Sequence, residues 1–162
     1  MIEVLWHGRG GQGAFTAARL LGAASSFADG SYALAFPSFG PERRGAPMRA
    51  FTKMSRKPIG DRSAVNRANY VIYLDDTLLG EGWEDELLPD GKAIVNSVRS
   101  FDDPRIVAID ANGISQEILG WPIPNTALLG ALCSVCDYVS VDDVKRAIEG
   151  YMPAKLHEKN KR

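Results

Sequence analysis

Apolar and polar positions along the chain fall into short runs of two alternating kinds. Ile2 to Trp6 is a continuous apolar run and reads as a buried strand. Ala14 to Ala28 carries Ala14, Ala17, Ala18, Leu21, Ala24 and Ala28 at helical spacing, with Gly22 inside the run, and reads as a helix closed by the turn pair Asp29-Gly30. Tyr32 to Phe36 and Met48 to Met54 read as strands, separated by the proline- and glycine-rich loop "PSFGPERRGAP". "YVIYL", Tyr70 to Leu74, is aromatic and β-branched and has the strongest strand signal. Glu84 to Leu88 reads as a short helix, and Lys92 to Val95 and Ile106 to Ile109 as strands. Helical stretches follow at Ala111 to Leu119 and Thr126 to Tyr138, and another from a cap at Ser140 to about Tyr151.

Strands alternating with helices predict an α/β domain over residues 1–162, three layers deep, with a mostly parallel sheet and helices on both faces. The strands at 32–36 and 48–54 are joined by a loop and no helix, so part of the sheet is expected to be antiparallel. A length of 162 residues suits one domain with a real core.

Composition narrows the function by exclusion. A formal net charge of −1 gives no general case for nucleic-acid binding, and there is no long apolar run for a membrane. Two cysteines and an opening "MIEV" that leads straight into a strand suggest a cytoplasmic protein without a targeting segment. Charge is placed unevenly. Between Pro41 and Arg67 there are eight lysines and arginines against two acids, and between Asp75 and Asp90 seven acids and no base. This pattern suits an anionic ligand near the first stretch and a basic protein surface near the second, or simply two solvated faces.

The candidate chemistry lies in "LWHGRGGQG". Gly8, Gly10 and Gly13 satisfy G-x-G-x-x-G after a strand and before a helix, and Gly11 bares the segment further. Missing side chains let an anion approach the main chain, and the unpaired N–H groups at the start of the Ala14 helix then face it. The helix dipole adds about 0.3 to 2 kcal/mol. Each charge-assisted hydrogen bond adds about 1.5 to 3 kcal/mol. Arg9 and Gln12 are the side chains within the segment that can touch a ligand. A dinucleotide site of the NAD type expects an acid near the end of the second strand, but that strand ends in Phe36-Pro37. Arg43 and Arg44 follow instead, and adjacent arginines bind phosphate through bidentate forks. NADP and coenzyme A both fit such a site. A P-loop does not, since no Lys-Ser or Lys-Thr follows the glycines. A tight packing turn with no ligand is the bland alternative.

Together, "WHGRGGQGAFTAARLL" and "AFPSFGPERRGAP" resemble the gamma subunits of the pyruvate or 2-oxoacid:ferredoxin oxidoreductases. "FTKMSRKPI", "VNSV", "IPNTALLGA" and "KLHEKN" extend the likeness over nearly the whole chain. The form of the first two motifs is nearer the pyruvate and branched-chain members than the 2-oxoglutarate ones. The resemblance implies a subunit of a complex that oxidatively decarboxylates a 2-oxoacid, reduces ferredoxin and passes the acyl group to coenzyme A. It places thiamine diphosphate and iron–sulfur clusters on partner alpha, beta and delta subunits, and gives this chain a share of the coenzyme A site. By position, Gly8, Arg9, Gly10, Gly11, Gln12 and Gly13 would hold phosphate, Arg43 and Arg44 would add charge, and Asn125 a polar contact from a helix start. Lys159 and Asn160 are further candidates. The rival readings are an NADP-dependent reductase and a scaffold without a ligand.

Other residues invite chemistry and have plainer readings. Cys133 and Cys136 share an apolar helical run and have no second cysteine pair, so they read as packing residues and not as a cluster site. His7 reads as an anchor at the end of a strand and His157 as solvated. Asp75-Asp76 reads as a cap for a helix at Thr77. Trp83, among acids, is a candidate partner contact.

Overall fold

A computed structural model describes residues 2–9, 14–26, 32–37, 47–60, 67–79, 83–98, 101, 103–113, 125–135, 139, 142–145 and 147. Six strands form one mixed sheet: β1 Ile2–Arg9, β2 Tyr32–Pro37, β3 Pro47–Ser55, β4 Ala68–Tyr73, β5 Leu87–Asn96 and β6 Ile106–Ile109, in the order β2-β3-β1-β4-β5-β6. β1, β4, β5 and β6 run parallel, and β3 runs antiparallel between β1 and β2. The expected antiparallel part of the sheet is therefore the β2–β3 hairpin, and the rest follows α/β logic.

Alternation along the strands sorts side chains to two faces. Val4 and Trp6 of β1, Ala50 and Met54 of β3, Ile72 of β4 and Ile94 of β5 face one way, where helices α1 (Ala14–Ser26) and α2 (Asn125–Val135) cover them. Helical residues at 111–113, 142–145 and 147 contribute Ala111, Val144 and Ala147 to the same cluster. The helix meets the hairpin closely because both surfaces are small: a methyl group added at Gly22 would lie 3.6 and 3.7 Å from the Cβ atoms of Ala35 and Ala33. A buried polar chain ties the layers together. The Trp6 indole N–H donates to Thr52 Oγ1 at 3.1 Å, and that hydroxyl donates to the Ala18 carbonyl at 3.0 Å.

Leu5, Phe51, Val71, Tyr73, Ala93 and Val95 face the other way. Among the described residues the cover here is two 3-10 turns, Asp76–Leu78 and Trp83–Glu86, which bring Leu78, Leu79 and Trp83 onto the sheet. Lys53 also lies buried on this side of β3, its ammonium 6.0 Å from the centre of the Phe36 ring.

The stretch around the start of β5 differs from expectation. The helix expected at Glu84 to Leu88 is a 3-10 turn ending at Glu86, because Leu87 already pairs with Ala68 in the ladder. β5 then runs through Pro89-Asp90-Gly91, although these residues look like a turn. Asp90 takes a left-handed φ of 66°, and the register of β4 against β5 shifts between Ala68 and Tyr70. Gly91 is required at this irregularity, since a Cβ would sit 2.9 Å from the Leu88 carbonyl oxygen and 3.0 Å from that of Asn69. Among the described residues no helix is long and apolar enough to cross a membrane.

Candidate functional site

The carboxyl ends of β1, β4, β5 and β6 lie along one edge of the sheet, the edge at which open α/β folds place their ligands. β1 is longer than its apolar run suggests. Gly8 and Arg9 continue the strand, opposite Met48 and Pro47 of β3, and Gly8 is buried. The first glycine of the motif is thus a ladder residue, and any bend begins after Arg9. α1 opens at Ala14 with no acidic residue in its first turn, so no carboxylate of the helix competes for its positive end.

The same register brings the second motif to this edge. β2 ends at Pro37 and β3 begins at Pro47, so the stretch holding Arg43 and Arg44 leaves and returns here, and its return lies beside Arg9. Gly10, Gly11, Gln12, Gly13, Arg43 and Arg44 lie outside the described residues, as do Cys136, Ser140, His157, Lys159 and Asn160. Asn125 opens α2; its side chain is outside them too.

On the face opposite the helices, alternation places Leu5, His7 and Arg9 in a row, and the last two build polar clusters that sequence reasoning did not assemble. Arg9 Nε donates to Asp75 Oδ2 at 3.1 Å, and Arg9 Nη2 donates to Thr77 Oγ1 at 2.8 Å. Thr77 in turn donates its hydroxyl to Asp75 Oδ1 at 2.6 Å and its backbone N–H to the same oxygen at 3.0 Å. Asp75 is therefore the cap expected of it, and also the anchor of a guanidinium. Burial raises the Asp75 pKa, but the bonds from Thr77 and the Arg9 charge outweigh it and hold the carboxyl below its ordinary value.

One step back along the strands, His7 stacks on Tyr73 with ring centres 4.8 Å apart. His7 Nε2 lies 2.9 Å from Glu86 Oε1, and the Tyr73 hydroxyl donates to that oxygen at 3.2 Å. Burial pushes the Tyr73 phenol well above its usual value, helped by the Glu86 charge. Burial also raises Glu86, yet the His7 and Tyr73 bonds and the Arg49 charge bring it below the ordinary range. His7 is thus an anchor, clamping the Trp83–Glu86 turn to the sheet. Trp83 packs on this face beneath the Arg105 guanidinium, 5.0 Å from its ring centre. Cys133 is half-buried and packs against the helical core, as a packing residue does.

Farther along the edge, Asp75, Asp76, Asn96, Ser97, Asp110 and Asn112 line a cleft of about 200 Å3. Its groups bond mainly to one another and to the backbone: Ser97 donates to Asp76, Asn96 to the Leu74 carbonyl, and Asp110 accepts from Gly113 N–H. Among the described residues no three His, Cys, Asp or Glu side chains converge as a metal site.

The pyruvate ferredoxin/flavodoxin oxidoreductase family model matches residues 3–162. Pyruvate synthase subunit PorC of Methanocaldococcus jannaschii is 46% identical over 163 residues, covering 99% of this chain and 91% of the relative. The pyruvate/ketoisovalerate oxidoreductases common subunit gamma of Pyrococcus furiosus is 42% identical over 176 residues, covering 100% and 92%. Among solved structures, pyruvate oxidoreductase subunit PORC of Thermotoga maritima superposes with a TM-score of 0.84 at 37% identity, over 99% of this chain and 90% of that one. A 2-oxoglutarate:ferredoxin oxidoreductase of Magnetococcus marinus, solved with coenzyme A bound, shares the fold at a TM-score of 0.74 and 18% identity, over 98% of this chain and 29% of that one.

Proposed function

The chain belongs to the pyruvate ferredoxin/flavodoxin oxidoreductase family, and on that premise we propose that it is the gamma subunit that supplies the phosphate-binding part of the coenzyme A site. In this reading Gly10 to Gly13 present backbone N–H groups to the ligand's diphosphate at the start of α1. Gly8 and Arg9 fix where that segment departs. Arg43 and Arg44 reach the remaining phosphate, and Asn125 adds a contact from the start of α2. Coenzyme A supplies the thiol that accepts the acyl group. Thiamine diphosphate and iron–sulfur clusters belong to alpha, beta and delta partners, with ferredoxin as the electron acceptor.

The observation that carries this reading is the pairing of Arg9 with Pro47. Residues directly opposite in an antiparallel ladder have Cα atoms about 4.5 to 5.5 Å apart. The bare segment therefore starts where the arginine stretch ends, and covalent geometry keeps the Arg44 Cα within about 11 Å of Pro47. The role is one of positioning: holding a nucleophile at a reacting centre can supply about 7 to 11 kcal/mol of a barrier without a reacting side chain here.

The test uses the purified complex carrying Gly11→Val in this subunit and the pyruvate- and coenzyme-A-dependent reduction of ferredoxin. A valine there blocks approach to the main chain. We expect the KM for coenzyme A to rise by at least about tenfold, the loss of one charge-assisted hydrogen bond, with the KM for pyruvate unchanged. An unchanged coenzyme A KM would remove the site from this segment.

A further inference from the structure

We infer that Asp75 and Thr77 are positioning residues for coenzyme A binding, acting by fixing the guanidinium of Arg9, the residue just before the glycine segment. The inference rests on the coenzyme A reading above and extends it to residues of the next parallel strand's end, outside both motifs.

The three side chains hold one another in a definite order. A guanidinium has donors and no acceptor, so Thr77 Oγ1 must accept from Arg9 Nη2, at 2.8 Å. The single Thr77 hydroxyl proton is then committed to Asp75 Oδ1, at 2.6 Å. The other Asp75 oxygen takes Arg9 Nε at 3.1 Å, so one carboxylate and one hydroxyl hold two adjacent nitrogens of one plane. Asp75 is itself held, since it caps the Asp76–Leu78 turn through Thr77 N–H. The backbones are locked as well: Leu74 N–H donates to the His7 carbonyl at 2.8 Å, which ties the end of β4 to the end of β1. About a third of the Arg9 side chain is exposed, at the residue that immediately precedes Gly10.

Such an arrangement has a cost that reveals its purpose. The Asp75 carboxylate offsets much of the positive charge of Arg9, and a site built only to attract phosphate would omit it. What Asp75 and Thr77 provide is direction. An unrestrained arginine loses rotamer freedom when it grips a ligand, whereas one already held in place loses less. A charge account and a positioning account therefore predict opposite signs. On charge alone, neutralising Asp75 strengthens binding of an anion; on positioning, it weakens it.

The experiment measures steady-state kinetics of the whole complex with Asp75→Asn, Thr77→Val, Thr77→Ser, Arg9→Met or Gly11→Val in this subunit. We expect Asp75→Asn and Thr77→Val each to raise the KM for coenzyme A about three- to tenfold, less than the full worth of the one charge-assisted hydrogen bond each removes, because that bond holds the guanidinium and not the ligand. The kcat and the KM for pyruvate should hold, and Thr77→Ser, which keeps the hydroxyl, should match the wild type. The thermal midpoint of each complex separates a binding defect from a folding one, and the serine variant keeps the test open if valine disturbs the turn. A lower coenzyme A KM in Asp75→Asn, or an unchanged KM in Thr77→Val while Arg9→Met raises it, overturns the positioning role and leaves the coenzyme A reading standing. An effect of Gly11→Val with none of Arg9→Met likewise overturns the role of Arg9 and its two holders. If Gly11→Val leaves the coenzyme A KM unchanged, the coenzyme A reading itself has failed.

Discussion

The two faces of the sheet solve different problems with the same strands. Towards α1 and α2 the strands present Val4, Trp6, Ala50, Met54, Ile72 and Ile94 to a surface of alanines and leucines, and polar groups enter as the satisfied Trp6–Thr52–Ala18 chain. Towards the 3-10 turns the strands present Leu5, Phe51, Val71 and Tyr73, and then, towards one edge, His7 and Arg9 at the end of β1, Arg49 near the start of β3 and Asp75 just after β4. The first face is a packing surface whose cost of change is apolar volume. The second is held by charge-assisted hydrogen bonds, which fix orientation and depend on pH. The anion site proposed at one edge would draw on both: a stiff back, and a front whose polar groups cannot turn away.

The comparison breaks most visibly where volume is removed. Leu21 is fully buried in the helical cluster, so Leu21→Ala should destabilise the chain by about 2 to 5 kcal/mol, measured by denaturant unfolding. At a temperature where the variant stays folded, the KM for coenzyme A in the complex should hold. A large KM change with little loss of stability would mean that the two faces do not divide the labour in this way.

A smaller and pH-dependent effect belongs to the other face. Glu86 accepts from His7 and Tyr73, and its pKa lies below the ordinary value despite burial. A carboxylate with a depressed folded pKa contributes stability above its unfolded pKa, and loses that contribution as pH falls through the folded value. Glu86→Gln keeps one acceptor oxygen and removes the charge. We expect a loss of about 1 kcal/mol at neutral pH, a figure already reduced for the exposure of the pair. That loss should shrink towards zero as unfolding is followed from pH 6 down to pH 3. A difference constant across this range would show that the carboxylate charge does not hold the turn.

Much of this was legible in the order of residues, and the exceptions have physical causes. The apolar and β-branched runs of β2, β3, β4 and β6 located those strands to within a residue or two, and the loop without a helix between β2 and β3 foretold the antiparallel pair. β5 was half hidden, because Pro89, Asp90 and Gly91 carry turn chemistry while tertiary pairing with β4 keeps them in a strand. β1 looked shorter than it is, since His7, Gly8 and Arg9 break the apolar run that announces it. That misreading hid the polar clusters. Once the strand is carried to Arg9, period-two alternation puts Leu5, His7 and Arg9 on one face, and parallel pairing with β4 then brings Tyr73 beside His7. Partners such as Glu86 and Thr77, distant in sequence, become visible only in three dimensions.

The measurement that bears most directly on the central claim compares coenzyme A with its dephospho form, in the wild-type complex and in one carrying Arg43→Ala and Arg44→Ala. If these arginines hold the 3′-phosphate beside the bare segment after Arg9, the double substitution should raise the KM for coenzyme A about tenfold or more while barely changing that for dephospho-coenzyme A. Equal losses for the two ligands, or none for either, would contradict the assignment.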